Sequence, residues 1–235
     1  MKITIGHLYP EFLNLYGDMG NILSLKHRLT ARGIDAEIKI FYIDDEIDFS
    51  ALDIVYIGAG GEKEQKAVCR KLCEIKDSLI NYAENGGVVL AVCSGFEILG
   101  KYYETQNETI EGVGLLDAIT KYNSSKAVGN IVIENEALGT IVGFENHAGI
   151  VETSLSPLGR VICGRGSGNN TEGVIYKNVI ATYIHGPILP KNHVLADYII
   201  KKALENKGCE SELSKIDDEL EINAHNYAVG RFVNK

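Results

Sequence analysis

The chain has 235 residues, of which 45% are hydrophobic and 23% charged, enough apolar material for a sizeable core. A net charge of −9 argues against a nucleic-acid surface, and no apolar run reaches the roughly 20 residues of a membrane span. The five cysteines are an odd number without framework spacing, which reads as reduced thiols in a cytosolic protein.

Residues 2–6 read as a first strand and not as a signal peptide. An aromatic-rich loop follows over residues 7–17. Asp18 is then placed to cap a helix to about Arg32, with Ile22, Leu25 and Leu29 on one face and Gly33 closing it. Residues 36–43 and 52–58 are the next strands. Residues 62–84 carry Val68, Leu72, Ile75 and Leu79 at helical spacing and stop at Asn85-Gly86-Gly87. Cys69 and Cys73 sit four apart on that helix. No second Cys or His pair completes a zinc set, so they read as ordinary helix residues and no metal is expected. Residues 88–92 form a short β-branched run, the signature of a strand buried on both faces. Strand and helix thus alternate through the first 100 residues, which predicts a parallel, doubly wound sheet with its ligand site beyond the carboxyl ends of the strands.

Beyond Gly100 the pattern changes. Residues 118–122, 127–134, 141–144, 160–163 and 173–176 are short strand-like runs, predicted as a β-rich continuation of the same sheet. One more apolar strand, residues 179–184, ends in His185-Gly186-Pro187. Helices are predicted over 192–206 and, more polar, over 211–229. With no repeat and no low-complexity linker, residues 1–235 read as one domain.

Chemistry concentrates at residues 88–100. The strand runs straight into Cys93, then Ser94-Gly95, then a helix start at Phe96-Glu97-Ile98-Leu99. Such a turn needs small neighbours and lifts a nucleophile clear of the sheet. A helix N-terminus lowers a thiol pKa and offers N–H groups to an oxyanion. The thiol needs a base. His185, at the end of a late strand, could reach the same sheet edge; His147 is its rival, and His7, His27, His193 and His225 read as surface or capping residues. Gly58-Ala59-Gly60-Gly61 ends the strand before Cys93, and its amides could join that of Ser94 in an oxyanion hole. Gly164-Arg165-Gly166-Ser167-Gly168 reads as a flexible loop. No Gly-x-x-x-x-Gly-Lys-Ser/Thr run is present, so no nucleotide site is expected.

Together these residues resemble class I glutamine amidotransferases of the cobyric acid synthase type, and within them the stand-alone glutaminase subunits of lipid II isoglutaminyl synthases. The resemblance runs through residues 15–21, Gly129-Asn130, residues 143–147 and residues 182–192. It implies a flavodoxin-like α/β fold, mostly parallel, with a β-rich second half. It also implies that Cys93 attacks the glutamine side-chain amide, that His185 manages the proton, and that Gly60, Ser94, Glu97 and Lys126 contact substrate. Ammonia would pass to a Mur ligase-like synthetase, in a heterodimer, for amidation of D-glutamate in peptidoglycan; ATP and magnesium would sit on that partner, and this chain would need no cofactor of its own. Alternatives are an amidotransferase or amide hydrolase serving another synthetase, and a non-catalytic regulatory subunit. Ser94 stands where Gly is common, Glu97 where Gln is common, and Lys126 where an Arg would grip the substrate carboxylate. Pro187 occupies the position of the Glu that orients the histidine in many relatives, so the resemblance points to an orienting carboxylate from the partner.

Overall fold

The computed structural model describes residues 1–233. β1 (Lys2–Leu8), α1 (Met19–Thr30) and β2 (Asp35–Phe41) lead into β3 (Ile54–Ile57), α2 (Glu62–Glu74), α3 (Lys76–Glu84), β4 (Val88–Val92) and α4 (Ser94–Leu99). A stretch with little helix follows: β5 (Tyr102–Glu104), β6 (Thr109–Glu111), β7 (Ala118–Asn135), β8 (Gly139–Thr153), β9 (Gly159–Cys163) and β10 (Thr171–Glu172). β11 (Val174–Tyr176), β12 (Val179–Thr182), α5 (His193–Asn206) and α6 (Glu219–Val233) complete the chain.

The first sheet has the order β11-β12-β4-β3-β1-β2, parallel except for β11. β4 lies in its interior because none of its five side chains is polar and none is exposed. The strand period of two divides the core. Ile54, Tyr56, Val88, Leu90 and Val92 belong to the apolar layer of α1 and α5, whereas Val55, Ile57, Val89 and Ala91 belong to that of α2, α3 and α4.

The predicted continuation of one sheet is corrected. Among the described residues beyond Gly100, only β11 and β12 join the first sheet. The other late strands form a second one, β10-β9-β7-β5-β6, with β8 paired to β7. β7 and β8 are 18 and 15 residues long and form a hairpin with a register shift between Tyr122 and Ala127. Partners so long satisfy each other's backbone and need no place in the parallel sheet. The two sheets meet where Phe144 and His185 exchange backbone hydrogen bonds of 3.2 and 2.9 Å.

Three predicted helical features also shift. The helix expected over 62–84 breaks at Ile75 (φ −114°, ψ 17°), and α3 then brings Leu79 and Ala83 into the core beside Phe49. The last helix begins at Glu219, not at 211. The segment before it is stretched across α1, where Arg28 pairs with both Asp197 and Asp218 and Arg32 binds the Ser214 carbonyl. Asp18 does not cap α1 with its side chain. His7, read as a surface or capping residue, is fully buried within β1 against Tyr56.

Candidate active site

Cys93 follows the last residue of β4 with φ 53° and ψ −108°, a left-handed backbone that side chains rarely adopt. Two bonds fix it: its N–H donates to the Thr182 carbonyl of β12 at 2.8 Å, and its carbonyl accepts from Glu97 N–H at 3.2 Å, opening α4. Gly95 permits the turn, because a Cβ there would lie 2.6 Å from the Ile57 carbonyl oxygen. The sequence expectation of a nucleophile elbow describes this geometry.

The expected lowering of the thiol pKa does not hold. Burial pushes the Cys93 thiol well above its usual range, and the Glu97 and Asp18 carboxylates push the same way; the Ser94 N–H alone opposes them. In the resting protein Cys93 is a thiol and needs a base.

His185 stands three residues past the end of β12, whose Thr182 is paired with Val92 of β4, so both residues reach the same sheet edge. Its ring is buried and stacked on Tyr16, centroids 4.2 Å apart, and neither ring nitrogen has a hydrogen-bond partner among the described residues. Burial pulls its pKa down to about 4, with His147 and the Lys191 ammonium acting in the same direction. At neutral pH it is an unprotonated imidazole, free to accept a proton. His147 is differently committed. It stacks on Tyr183 at 3.8 Å, Nδ1 donates to the Gly149 carbonyl at 3.0 Å, and Nε2 faces Glu145 at 3.6 Å.

The Gly-rich turn reaches the elbow. The Ala59 N–H donates to Asp18 Oδ2 at 2.6 Å, and Gly60 is hydrogen-bonded to the Ser94 hydroxyl. Gly60 and Ser94 are therefore brought to Cys93. The carboxyl of Asp18 is pushed up to about 7 by burial, against the pull of the Ala59 N–H and the Tyr56 hydroxyl. Of the remaining two expected contacts, Glu97 lies near enough to Cys93 to push its thiol up, whereas Lys126 stands in the β7 bulge. Both oxygens of Glu97 are engaged, by Gln65 Nε2 at 2.6 Å and by the Tyr183 hydroxyl at 2.8 Å. Lys126 lies exposed in the β7 bulge, and its carbonyl accepts from Arg165 Nη1 at 3.0 Å. Arg165 belongs to the loop read as flexible. That loop is instead ordered around Glu145, whose two oxygens accept the N–H groups of Arg165 and Gly166.

Sequence reasoning gave no site role to Tyr16, Asp18 or Glu172, although Tyr16 and Asp18 lie in the stretch that carries the resemblance. Tyr16 covers His185 from a left-handed position (φ 59°), and its hydroxyl accepts from the Asn146 amide. Glu172 is fully buried and accepts from the Thr182 hydroxyl and the Tyr183 N–H, which fixes the chain just before His185. A buried acid has the same letter as a surface one; only the Tyr16-Gly17-Asp18 cluster offered a signal, as a polar interruption in an aromatic loop. Among the described residues no group of three or more His, Cys, Asp or Glu side chains forms a metal site, and no helix is long and apolar enough to cross a membrane.

This arrangement has relatives. Residues 4–193 match the CobB/CobQ-like glutamine amidotransferase domain. The chain is 41% identical over 233 residues to a Staphylococcus aureus protein named lipid II isoglutaminyl synthase (glutamine-hydrolyzing) subunit GatD, covering 98% of this chain and 96% of that protein. The Streptococcus pneumoniae protein of the same name is 39% identical, covering 92% of this chain and 86% of its own length. A probable cobyric acid synthase of Methanocaldococcus jannaschii is 29% identical, over 75% of this chain and 38% of that one. A solved glutamine amidotransferase structure superposes with a TM-score of 0.56 at 19% identity, covering 84% of this chain and 98% of the other, and supports the fold. The chain belongs to the CobB/CobQ-like glutamine amidotransferase family.

Proposed function

We propose that this chain is the glutaminase subunit of a two-subunit amidating ligase, with Cys93 as nucleophile and His185 as the proton carrier. The observation that carries the reading is the strained Cys93 elbow, level with the buried ring of His185 at the same sheet edge, in a chain similar along nearly its full length to subunits named glutamine-hydrolyzing. The thiol proton passes to His185 as sulfur adds to the amide carbon of glutamine, and the carbonyl electron pair moves onto oxygen. The amides of Ser94 and Gly60 are the donors assigned to that oxyanion. Collapse breaks the C–N bond, and His185 returns the proton to the leaving nitrogen, which departs as ammonia. Water then attacks the γ-glutamyl thioester, releasing glutamate and restoring the thiol.

The partner follows from the relatives' name and from a missing group. Subunits of a lipid II isoglutaminyl synthase pass ammonia to an amidating step on a peptidoglycan precursor, and we assign this chain the same task in a cytoplasmic heterodimer. ATP and magnesium belong to the synthetase subunit. No carboxylate of the described residues bonds the His185 ring, and this supports an orienting acid supplied by the partner. Glutamate release from L-glutamine, measured with and without the synthetase, tests the reading. The isolated chain should turn over slowly, the complex at least about tenfold faster, and Cys93→Ala or His185→Ala should lose about 10³-fold or more in the complex. Equal rates with and without the partner would remove the argument for a shared triad. Full activity in Cys93→Ala would end the assignment.

A further inference from the structure

The side chain of Ser94 makes contacts that its assigned role as an amide donor does not require. Ser94 is 4% exposed, and its hydroxyl donates to the Gly60 carbonyl at 2.9 Å while accepting from the Gly60 N–H at 3.2 Å. One proton and two lone pairs allow both bonds at once. The Gly-rich turn does not depend on them for its position. Ala59 is tied to the preceding loop through its N–H to Asp18 and its carbonyl to the Leu15 N–H, and the Gly61 carbonyl accepts the first bond of α2 from Gln65. What the serine bonds do change is the Gly60 N–H, which they occupy although the reading above assigns it to the oxyanion.

We propose that the Ser94 hydroxyl is a rate-setting stop on the oxyanion hole: it holds the Gly60 N–H in the resting enzyme, and the substrate oxygen must displace it before both donors act. The proposal deepens the function given above and rests on its reading of Cys93 as nucleophile and of the Ser94 and Gly60 amides as donors. The displacement is chemically reasonable, because an oxyanion accepts more strongly than a neutral hydroxyl. It is not free, because the hydroxyl loses its acceptor at the Gly60 carbonyl when it moves aside. Addition and thioester hydrolysis both pass through a tetrahedral oxyanion, so the stop acts on each.

The test uses Ser94→Gly and Ser94→Ala of the full chain in complex with the synthetase subunit. Steady-state glutamine hydrolysis gives kcat and KM, and intact mass follows alkylation of Cys93 by the γ-diazoketone analogue of glutamine. A full oxyanion donor is worth about 10²–10³-fold in rate, so kcat should rise about tenfold or more in both variants. KM should change by less than about threefold, because the released N–H serves the charged oxygen and not the ground state. Alkylation of Cys93 should accelerate in parallel. Unchanged or lower kcat in both variants overturns the proposal, as does a gain confined to Ser94→Gly, which would trace to backbone freedom and not to the hydroxyl. If wild type and both variants are all inert toward the diazoketone, the clasp is not what closes the site, and the proposal also fails. Labelling that persists in Cys93→Ala would instead overturn the underlying nucleophile assignment.

Discussion

Cys93 is held by its neighbours in a backbone conformation it would not choose. At φ 53° and ψ −108° a Cβ is strained, by a cost of order 1–3 kcal/mol for such positions. The parallel pairing of β4 with β12, the start of α4 and the close approach of Gly95 to the Ile57 carbonyl together leave no other path. Strain of this kind has a signature that reverses an ordinary preference. At most positions Gly is less stable than Ala, because it loses more chain entropy on folding. At residue 93 Cys93→Gly should be more stable than Cys93→Ala by about 1–2 kcal/mol, with both variants inactive. Urea unfolding midpoints of the two decide it; an Ala variant as stable as the Gly variant would mean the elbow is unstrained. The same residue shows what the sequence could carry. Apolar letters on one side, small letters on the other and a late strand ending in His-Gly-Pro were enough to expect Cys93 and His185 at one sheet edge, where the fold puts them. The direction of the thiol shift was not legible, because it depends on burial and on Glu97 and Asp18, which reach the sulfur only in the folded chain.

At the scale of elements, the first sheet reads well from sequence and the second does not, for a physical reason. A strand buried on both faces is an unbroken apolar run, as in β4, whose five-residue length, β-branched valines and preceding Gly86-Gly87 mark it as strand and not buried helix. β7 alternates buried Ala118 and Thr120 with half-exposed residues, then passes exposed Ser124, Ser125 and Lys126 at the register shift, so one long strand looks like two short ones. His7 was misread for the converse reason: a polar letter at the end of an apolar run looked like a loop, yet β1 continues through it. That burial makes a testable link to pH. Burial lowers the His7 pKa from 6.5 to about 4, so between those values the unfolded chain binds more protons than the folded one. Its contribution is undiminished above about pH 6.5 and is lost as the pH falls toward 4, by up to about 3 kcal/mol. Asp18 acts in the opposite sense: its pKa is raised from 3.8 to about 7, so its stabilising share is whole below 3.8 and is lost as the pH rises through 7. Denaturant titrations of wild type and His7→Phe across pH 4–8 separate the two, since Asp18 is common to both chains. The stability of the variant relative to wild type should stay flat above pH 6.5 and climb on acidification; a flat difference throughout would show that His7 titrates normally.

At the scale of the molecule, the second sheet earns its place by what it does to His185. The histidine lies beyond the last residue of β12, and its ring has no hydrogen-bond partner among the described residues; its position comes from backbone bonds to Phe144 of β8, from the ring of Tyr16 above it, and from Glu172 holding the residues before it. The histidine proposed as base, set on the end of one sheet, is thus aligned by the edge of another, which would give the β-rich half of the chain a part in that chemistry. The contact requires close approach. Gly143, directly before Phe144, leaves no room for a side chain: a Cβ there would run into Ile184 Cγ2 and come within 3.3 Å of the His185 carbonyl oxygen. Gly143→Ala should therefore lift β8 from the 184–185 backbone and break the Phe144–His185 pair. Overpacking of this kind costs about 1–3 kcal/mol in stability. Glutamine hydrolysis should fall more steeply, by about tenfold or more, because a displaced base loses the alignment that general-base catalysis needs. The two effects separate by measurement. Thermal unfolding should remain a single transition with a modestly lower Tm, since β3, β4, β12 and α4, which build the elbow, all lie outside the second sheet. Undiminished hydrolysis in Gly143→Ala would show that the first sheet alone positions His185, and that the second sheet serves some other purpose.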